Sequence, residues 1–326
     1  MVSELWNIGR LTALRKIIDK EVLKILEDSS QNGHYEVSEL AKHIIMAGGK
    51  RMRPLLILLC YELAGGKNIE DIMPLAVAFE MIHSATLIHD DINDNAKLRR
   101  GVPTIHEKAG PVKAQITGDW LFVQGFGLGG IYDEKIVSIM AECCAKIASA
   151  ELDQYRHIHD ISTTPEDYFK IIEGKTAGPF SAGCEASAIV AKSDSKQISL
   201  MREFGLQVGV AFQIVDDLLD LIGDERTGKP KGSDILEGKM TLPLIHSLTM
   251  LQGPKRKRME EMILKFNMTH WEELITMLES AGSIEYAKHL IDSHLDRALT
   301  ILEEFPESNA RKLIAEITQY VRERHD

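Results

Sequence analysis

Apolar residues recur every three or four positions along almost the whole chain, and this regularity limits the possible folds more than any other feature. It runs through "LWNIGRLTALRKIIDKEVLKILED", "PLAVAFEMIHSATLIHDDI", "KIVSIMAECCAKIASAELDQY", "SLMREFGLQVGVAFQIVDDLLDLIGD" and "AKHLIDSHLDRALTILEEF". That spacing lays an apolar stripe along one face of a helix. No stretch shows the strict alternation of a half-buried strand. Breaks fall at turn-forming groups: Gly65-Gly66, Arg100-Gly101-Val102-Pro103, Gly228-Lys229-Pro230 and Gly253-Pro254. An all-α fold of ten or more helices is expected. With no Pro/Gly/Ser-rich linker, low-complexity tract or repeat, residues 1–326 are expected to form one large domain.

Composition narrows the function classes. Acidic residues outnumber basic ones 49 to 38, for a net charge of -11, which argues against a general nucleic-acid binder. The basic run Lys255-Arg256-Lys257-Arg258 is short and is expected to be a solvated loop. No apolar run reaches the roughly 18 residues of a membrane span, and "MVSELWNIGR" lacks the charged-then-apolar order of a signal peptide, so a cytoplasmic protein is expected. The four cysteines, two of them adjacent as Cys143-Cys144, have neither disulfide-framework nor zinc spacing and are expected to be reduced and buried.

Charge placement is the next clue. In "LIHDDINDNAKLRRG", residues 87–101, Asp90, Asp91 and Asp94 crowd together, followed by Arg99 and Arg100, within what reads as one continuous helix. Like charges four apart destabilise a helix by a few tenths of a kcal/mol, so a bound cation is the natural compensation. At about 100° per residue Asp90 and Asp94 share a face. A single acidic cluster is usually a solvated face, but "FQIVDDLLDLIGD" repeats the spacing at Asp216, Asp217 and Asp220 after a long apolar stretch, an unfavourable setting for uncompensated carboxylates. Two such helices could hold magnesium between them. Magnesium takes one or two carboxylates and fills its other positions with water and substrate phosphates, so the implied ligand is a diphosphate.

A diphosphate needs cations, and these come in compact groups: Lys50, Arg51 and Arg53 in "GGKRMRP", Arg99 and Arg100 in "RRG", Lys175 and Thr176 in "GKT", then Lys229 and Lys239. "GGKR" lacks the spacing and the preceding strand of a P-loop, and "GFGLGG" at 125–130 follows a helical pattern, unlike a dinucleotide fingerprint.

The ordered set "GGKRMRP", "HSATLIHDDINDNAKLRRG", "GDWLF", "GKTAGPF", "FQIVDDLLD" and "GKPKGSDILEGKMTLPLI" resembles the trans-isoprenyl diphosphate synthases, or polyprenyl synthetases, over roughly residues 45–250. The resemblance implies a helical bundle around a central active-site cavity. It further implies head-to-tail joining of isopentenyl diphosphate to an allylic diphosphate, with three magnesium ions clamping the allylic diphosphate. Carried over by motif, Asp90 and Asp94 would ligate two ions and Asp216 the third, with Asp91, Asp217 and Asp220 in support. Arg99, Lys175, Gln213, Lys229 and Lys239 would hold the allylic diphosphate, with Thr176 close by, and Lys50, Arg53, His83 and Arg100 the isopentenyl diphosphate. Lys175, Gln213 and Asp216 would carry the chemistry, by stabilising the leaving group and the allylic cation. A lone histidine is more often a satisfied core or rim residue; the motif moves His83 toward substrate, while His89 is left structural. A homodimer is implied, with peripheral membrane contact for product release.

Product length can be read along the helix that precedes Asp90. If the tail runs toward that helix's N-terminus, it passes Ala85 and Thr86, then Ile82, then Phe79, ~16 Å from Asp90. Ala85 and Thr86 are too small to stop a chain, so a product beyond fifteen carbons is expected, and twenty-five or more fits the resemblance to medium- and long-chain members. Ile147 and Ala150 on another helix would also line the tunnel. A geranylgeranyl diphosphate synthase, with a shorter product, stays open. Class I terpene cyclases resemble the chain less because "DDLLD" is fully aspartate, and head-to-head synthases lack "GGKRMRP". A non-catalytic regulatory subunit is disfavoured by the two intact aspartate motifs.

Overall fold

The computed structural model describes residues 9–223 and 231–324, so Lys229 and the Gly228-Lys229-Pro230 break lie outside the described residues. The described residues form sixteen α-helical segments and one two-stranded ribbon. The all-α expectation is met, and the predicted helices appear close to their expected bounds. They are α1 (Gly9–Ser29), α4 (Met73–Asn93), α7 (Glu134–Arg156), α10 (Ser195–Ile222) and α15 (Ser283–Glu303).

Helix α4 lies at the centre. It is apolar almost all round, from Met73 and Leu75 to Phe79 and Ile88, the pattern of a helix wrapped by others. Around it pack α3 (Met52–Leu63), α6 (Pro111–Gly129) and α9 (Gly178–Val190). One contiguous apolar core includes side chains from Leu11 of α1 to Val321 of α16 (Asn309–Glu323). "GFGLGG" begins in the last turns of α6. Among the described residues no helix is long and apolar enough to cross a membrane.

Two expectations are corrected. The stretch 87–101 is not one helix: α4 ends at Asn93, Asn95 takes φ +50°, and Leu98–Arg99 pairs with Val102–Pro103. Arg100 (φ +53°) and Gly101 (φ +80°) form the two-residue turn between them, the left-handed pair that suits a tight hairpin. Both arginines therefore reach the site from a ribbon. The run Lys255–Arg258 is not a loop; it lies in α13 (Gly253–Leu264), opened by Gly253-Pro254 and supported by Arg256–Glu260 four residues on.

Close approach matters most where α10 meets the segment before α9. A Cβ on Gly209 would stand 2.5 Å from the Ala177 Cα, so only glycine lets the two backbones touch there. That segment, Glu173–Ala177, is a π-helical turn between α8 (Pro165–Ile172) and α9. Pro179 follows immediately with no N–H to donate, and the Gly178 N–H instead reaches back five residues to the Glu173 carbonyl. Lys175 and Thr176 both lie in this turn.

Candidate active site

The two aspartate triplets divide by helical geometry. Asp91 points about 100° away from Asp90 around α4 and is 1% exposed, held by Arg99 from the ribbon, Nε to Oδ1 at 2.8 Å. Burial raises its pKa against the pull of Arg99. Asp217 is 3% exposed and accepts from the Tyr168 hydroxyl (2.7 Å) and the Gln213 amide (2.8 Å). Burial, with the Asp234 and Asp216 charges nearby, pushes its pKa up to about 8 against those two hydrogen bonds. Asp220 is taken up by the Ser233 hydroxyl (2.6 Å) and the backbone N–H groups of Ser233 (3.0 Å) and Asp234 (3.1 Å), which open α11 (Ser233–Leu236).

The other three carboxylates each face a cationic side chain in partly open surroundings. Lys175 Nζ stands 3.4 Å from Asp90, Lys239 Nζ 3.2 Å from both Asp94 oxygens, and Arg324 Nη2 2.7 Å from Asp216. Asp90, Asp94 and Asp216 are thus the members that an incoming cation could reach, with Lys175, Lys239 and Arg324 holding their charge balance. Among the described residues no three His, Cys, Asp or Glu side chains already converge into a closed metal site. The donor set is carboxylate oxygen, which suits a hard cation that keeps its water and shares phosphate oxygens. Burial raises Asp90's pKa, opposed by Lys175. Burial alone would lower those of Lys175 and Lys239, but the carboxylates around each outweigh it.

The cationic motifs separate into structural and available groups. Arg51, read above as one of a phosphate-binding trio, takes φ +51° and is buried, bonded to Asp19 (2.7 Å), Glu80 (2.7 Å) and the Ile45 carbonyl (2.5 Å). It ties α1 and α4 to the start of α3. Arg53 stacks 4.6 Å over Phe180, contacts His83 at 3.2 Å, and keeps its buried Nε without a partner. A buried unpaired donor on a guanidinium is costly and suits an absent anion. Arg100 donates to the Gly48 carbonyl, and Lys50 lies 4.7 Å over the Tyr320 ring. Burial, reinforced by Arg53 and Arg100, drives the His83 pKa well below its ordinary value, so this imidazole is neutral at pH 7. His89, left structural by the sequence, faces Asp119 at 3.3 Å.

Thr176 donates to the Gln213 Oε1 at 2.7 Å, and that amide's nitrogen holds Asp217, so a chain of hydrogen bonds fixes Gln213 beside the π-helical turn. Below Lys175, Arg53 and His83, a pocket of about 370 Å³, counting its open mouth, becomes apolar between α4 and α7. Thr86, Ile82 and Phe79 line it from α4, and Ile147 from α7. Ala85 does not: it is fully buried and about 100° round the helix from Thr86. Ala150 is also absent from the lining and packs instead against Gly174. Met140, Cys143 and Cys144 complete the α7 wall. All four cysteines are free and three are buried; Cys144, which lines this pocket beside Cys143, is only half-buried.

Six partners were not foreseen: Arg324 on Asp216, Glu151 and Gln154 on Lys175, Glu237 on Lys239, Tyr168 on Asp217 and Tyr320 on Lys50. "AELDQY" at 150–155 carries a helical-face signal that could have flagged Glu151 and Gln154.

The polyprenyl synthetase family model matches residues 34–278, which include both aspartate helices, the ribbon and the π-helical turn. The chain belongs to the polyprenyl synthetase family. Like the synthases it resembles, it is an enzyme that transfers prenyl groups. The all-trans-nonaprenyl-diphosphate synthase (geranyl-diphosphate specific) of Rhodobacter capsulatus is 36% identical over 290 residues, 88% of this chain and 89% of that one. The geranylgeranyl diphosphate synthase of Saccharolobus solfataricus is 35% identical over 305 residues, 88% of this chain and 90% of that one. Among solved structures, the polyprenyl synthase of Caulobacter crescentus CB15, complexed with calcium and isoprenyl diphosphate, superposes with a TM-score of 0.89 at 33% identity, covering 98% of both chains. Polyprenyl synthetases named for quite different product lengths are therefore about equally similar to it.

Proposed function

We propose that this polyprenyl synthetase condenses isopentenyl diphosphate head-to-tail with an allylic diphosphate to give a product longer than fifteen carbons, and that it does so with magnesium. The observation that carries this reading is the division of the aspartates. Asp90, Asp94 and Asp216 sit open, each opposite a displaceable cation, above an apolar pocket. Three ions on these carboxylates would supply positive charge to the departing diphosphate. Asp91, Asp217 and Asp220, held by Arg99, Tyr168 with Gln213, and Ser233, act as supports that aim the open carboxylates and their helices.

Lys175 and Lys239 orient the allylic diphosphate and take up charge as the C–O bond breaks, with Arg99 and Lys229 contributing further cations. Arg53, with its unpaired Nε, holds the diphosphate of isopentenyl diphosphate together with Lys50, Arg100 and neutral His83, which can donate one hydrogen bond. Both substrates are then fixed so that attack of the double bond is effectively unimolecular. The Gln213 and Thr176 oxygens beside the π-helical turn face the developing allylic cation, and the released diphosphate accepts the proton. The single apolar core supports reading the whole chain as one catalytic domain. We further propose a cytoplasmic homodimer, with peripheral membrane contact when product leaves.

The pocket runs past Thr86 and Ile82 to Phe79, which supports a tail of more than fifteen carbons, and twenty-five or more if Met140 and Phe79 yield to a longer chain. The relative named as a geranylgeranyl diphosphate synthase supports the shorter alternative of twenty carbons. Labelled isopentenyl diphosphate with each of three allylic primers, followed by sizing of the dephosphorylated products, separates the two. Thr86→Phe, which places a ring on the α4 wall of the pocket, should shorten products to fifteen or twenty carbons with the first condensation nearly intact. Because overpacking costs roughly 1–3 kcal/mol, the variant's thermal melt is checked first. A well-folded Thr86→Phe enzyme with wild-type product length would show that the tail does not follow α4.

A further inference from the structure

Lys175 is held in an unusual way. The π-helical turn that carries it lies directly on α7: a Cβ on Gly174 would stand 2.7 Å from the Ala150 Cβ and 3.1 Å from the Lys146 carbonyl oxygen. This contact brings the lysine beside the next turn of α7, where Nζ meets Glu151 Oε2 at 2.6 Å and Gln154 Oε1 at 3.0 Å, with Asp90 Oδ1 at 3.4 Å on the other side. An ammonium has three donors and no acceptor. Glu151 and Gln154 take the two shorter contacts, and the third is left for the carboxylate where the metal and diphosphate would assemble.

We propose that Glu151, assisted by Gln154, is a positioning residue for the prenyl transfer, holding the Lys175 ammonium so that one donor points at the leaving diphosphate. The inference rests on the reading of Lys175 given above. Once a cation occupies Asp90, Glu151 is the anion that still faces the lysine, so it fixes the ammonium through the chemical step. Its other contact is a long one, 3.4 Å from Asn93 Nδ2 at the end of α4. The Glu151 side chain is 33% exposed, so the pair itself adds little to folding. Its effect lies in aim, and a misplacement of about 1 Å can cost on the order of 100-fold in rate.

The test compares Glu151→Gln with wild type, in the native background and in Lys175→Ala, by single-turnover assays with labelled isopentenyl diphosphate. Glu151→Gln should lower turnover by roughly 10- to 100-fold, with both Michaelis constants within about twofold and the melting temperature unchanged. It should add no further loss once Lys175 is gone, because the two residues act as one unit. Glu151→Asp, which keeps the charge one methylene back, should recover part of the rate. Unchanged turnover in Glu151→Gln, or a loss that multiplies with that of Lys175→Ala, would overturn the inference while leaving Lys175 in its role. Wild-type turnover in Lys175→Ala would overturn that role, and this inference with it.

Discussion

Asp90→Ala and Asp216→Ala are each expected to lower turnover by several orders of magnitude while leaving the fold intact. Removing one preorganised electrostatic donor costs about 10²–10³ in rate, and each of these changes would remove the anchor of an ion that is itself the larger charge. The stability cost should be small. The Asp216–Arg324 pair is partly open, with the Asp216 side chain 40% exposed, and such pairs contribute about 0–1 kcal/mol. A chelator should likewise abolish turnover of the wild type, and added magnesium restore it. The two results together separate metal loss from misfolding. Full activity in chelator, or an Asp216→Ala enzyme within tenfold of wild type, would contradict the metal reading.

Lys175→Ala and Arg53→Ala are expected to fail in different ways. Lys175 lies beside Asp90, where charge grows as the leaving group departs, so its loss should fall on turnover, by on the order of 10²–10³. Arg53 carries a buried unpaired donor beside neutral His83, a setting for holding a second diphosphate through the whole reaction. Its loss should mainly raise the Michaelis constant for isopentenyl diphosphate, since an interaction of equal strength in ground and transition states changes affinity more than turnover. The measurement is a full kinetic analysis of both variants with each substrate varied in turn. If both changes produced the same pattern for both substrates, the division into two diphosphate sites would be wrong.

The helices and aspartate triplets were legible in the sequence because they are local: three- and four-residue spacing survives whatever the chain packs against. The ribbon was hidden for the opposite reason, since Arg100 adopts a left-handed turn conformation that its residue type does not advertise. Arg51 was misread because a buried arginine and a phosphate-binding one look alike until Asp19 and Glu80 are seen beside it. Spacing along α4 could not tell Ala85 from Thr86 as a wall of the pocket, because neighbouring residues differ by about 100° around the helix and only Thr86 lines it. Arg324, 108 residues beyond Asp216, could be found only from the packing.

The most direct measurement is a crystal structure with manganese, located by its anomalous scattering, and a non-hydrolysable allylic diphosphate analogue. The account predicts metal on Asp90, Asp94 and Asp216, with Lys175 and Lys239 moved from their carboxylates onto diphosphate oxygens and the analogue's tail running past Thr86 and Ile82. Diphosphate bound without metal at those three aspartates, or metal held instead by Asp91, Asp217 and Asp220, would contradict it.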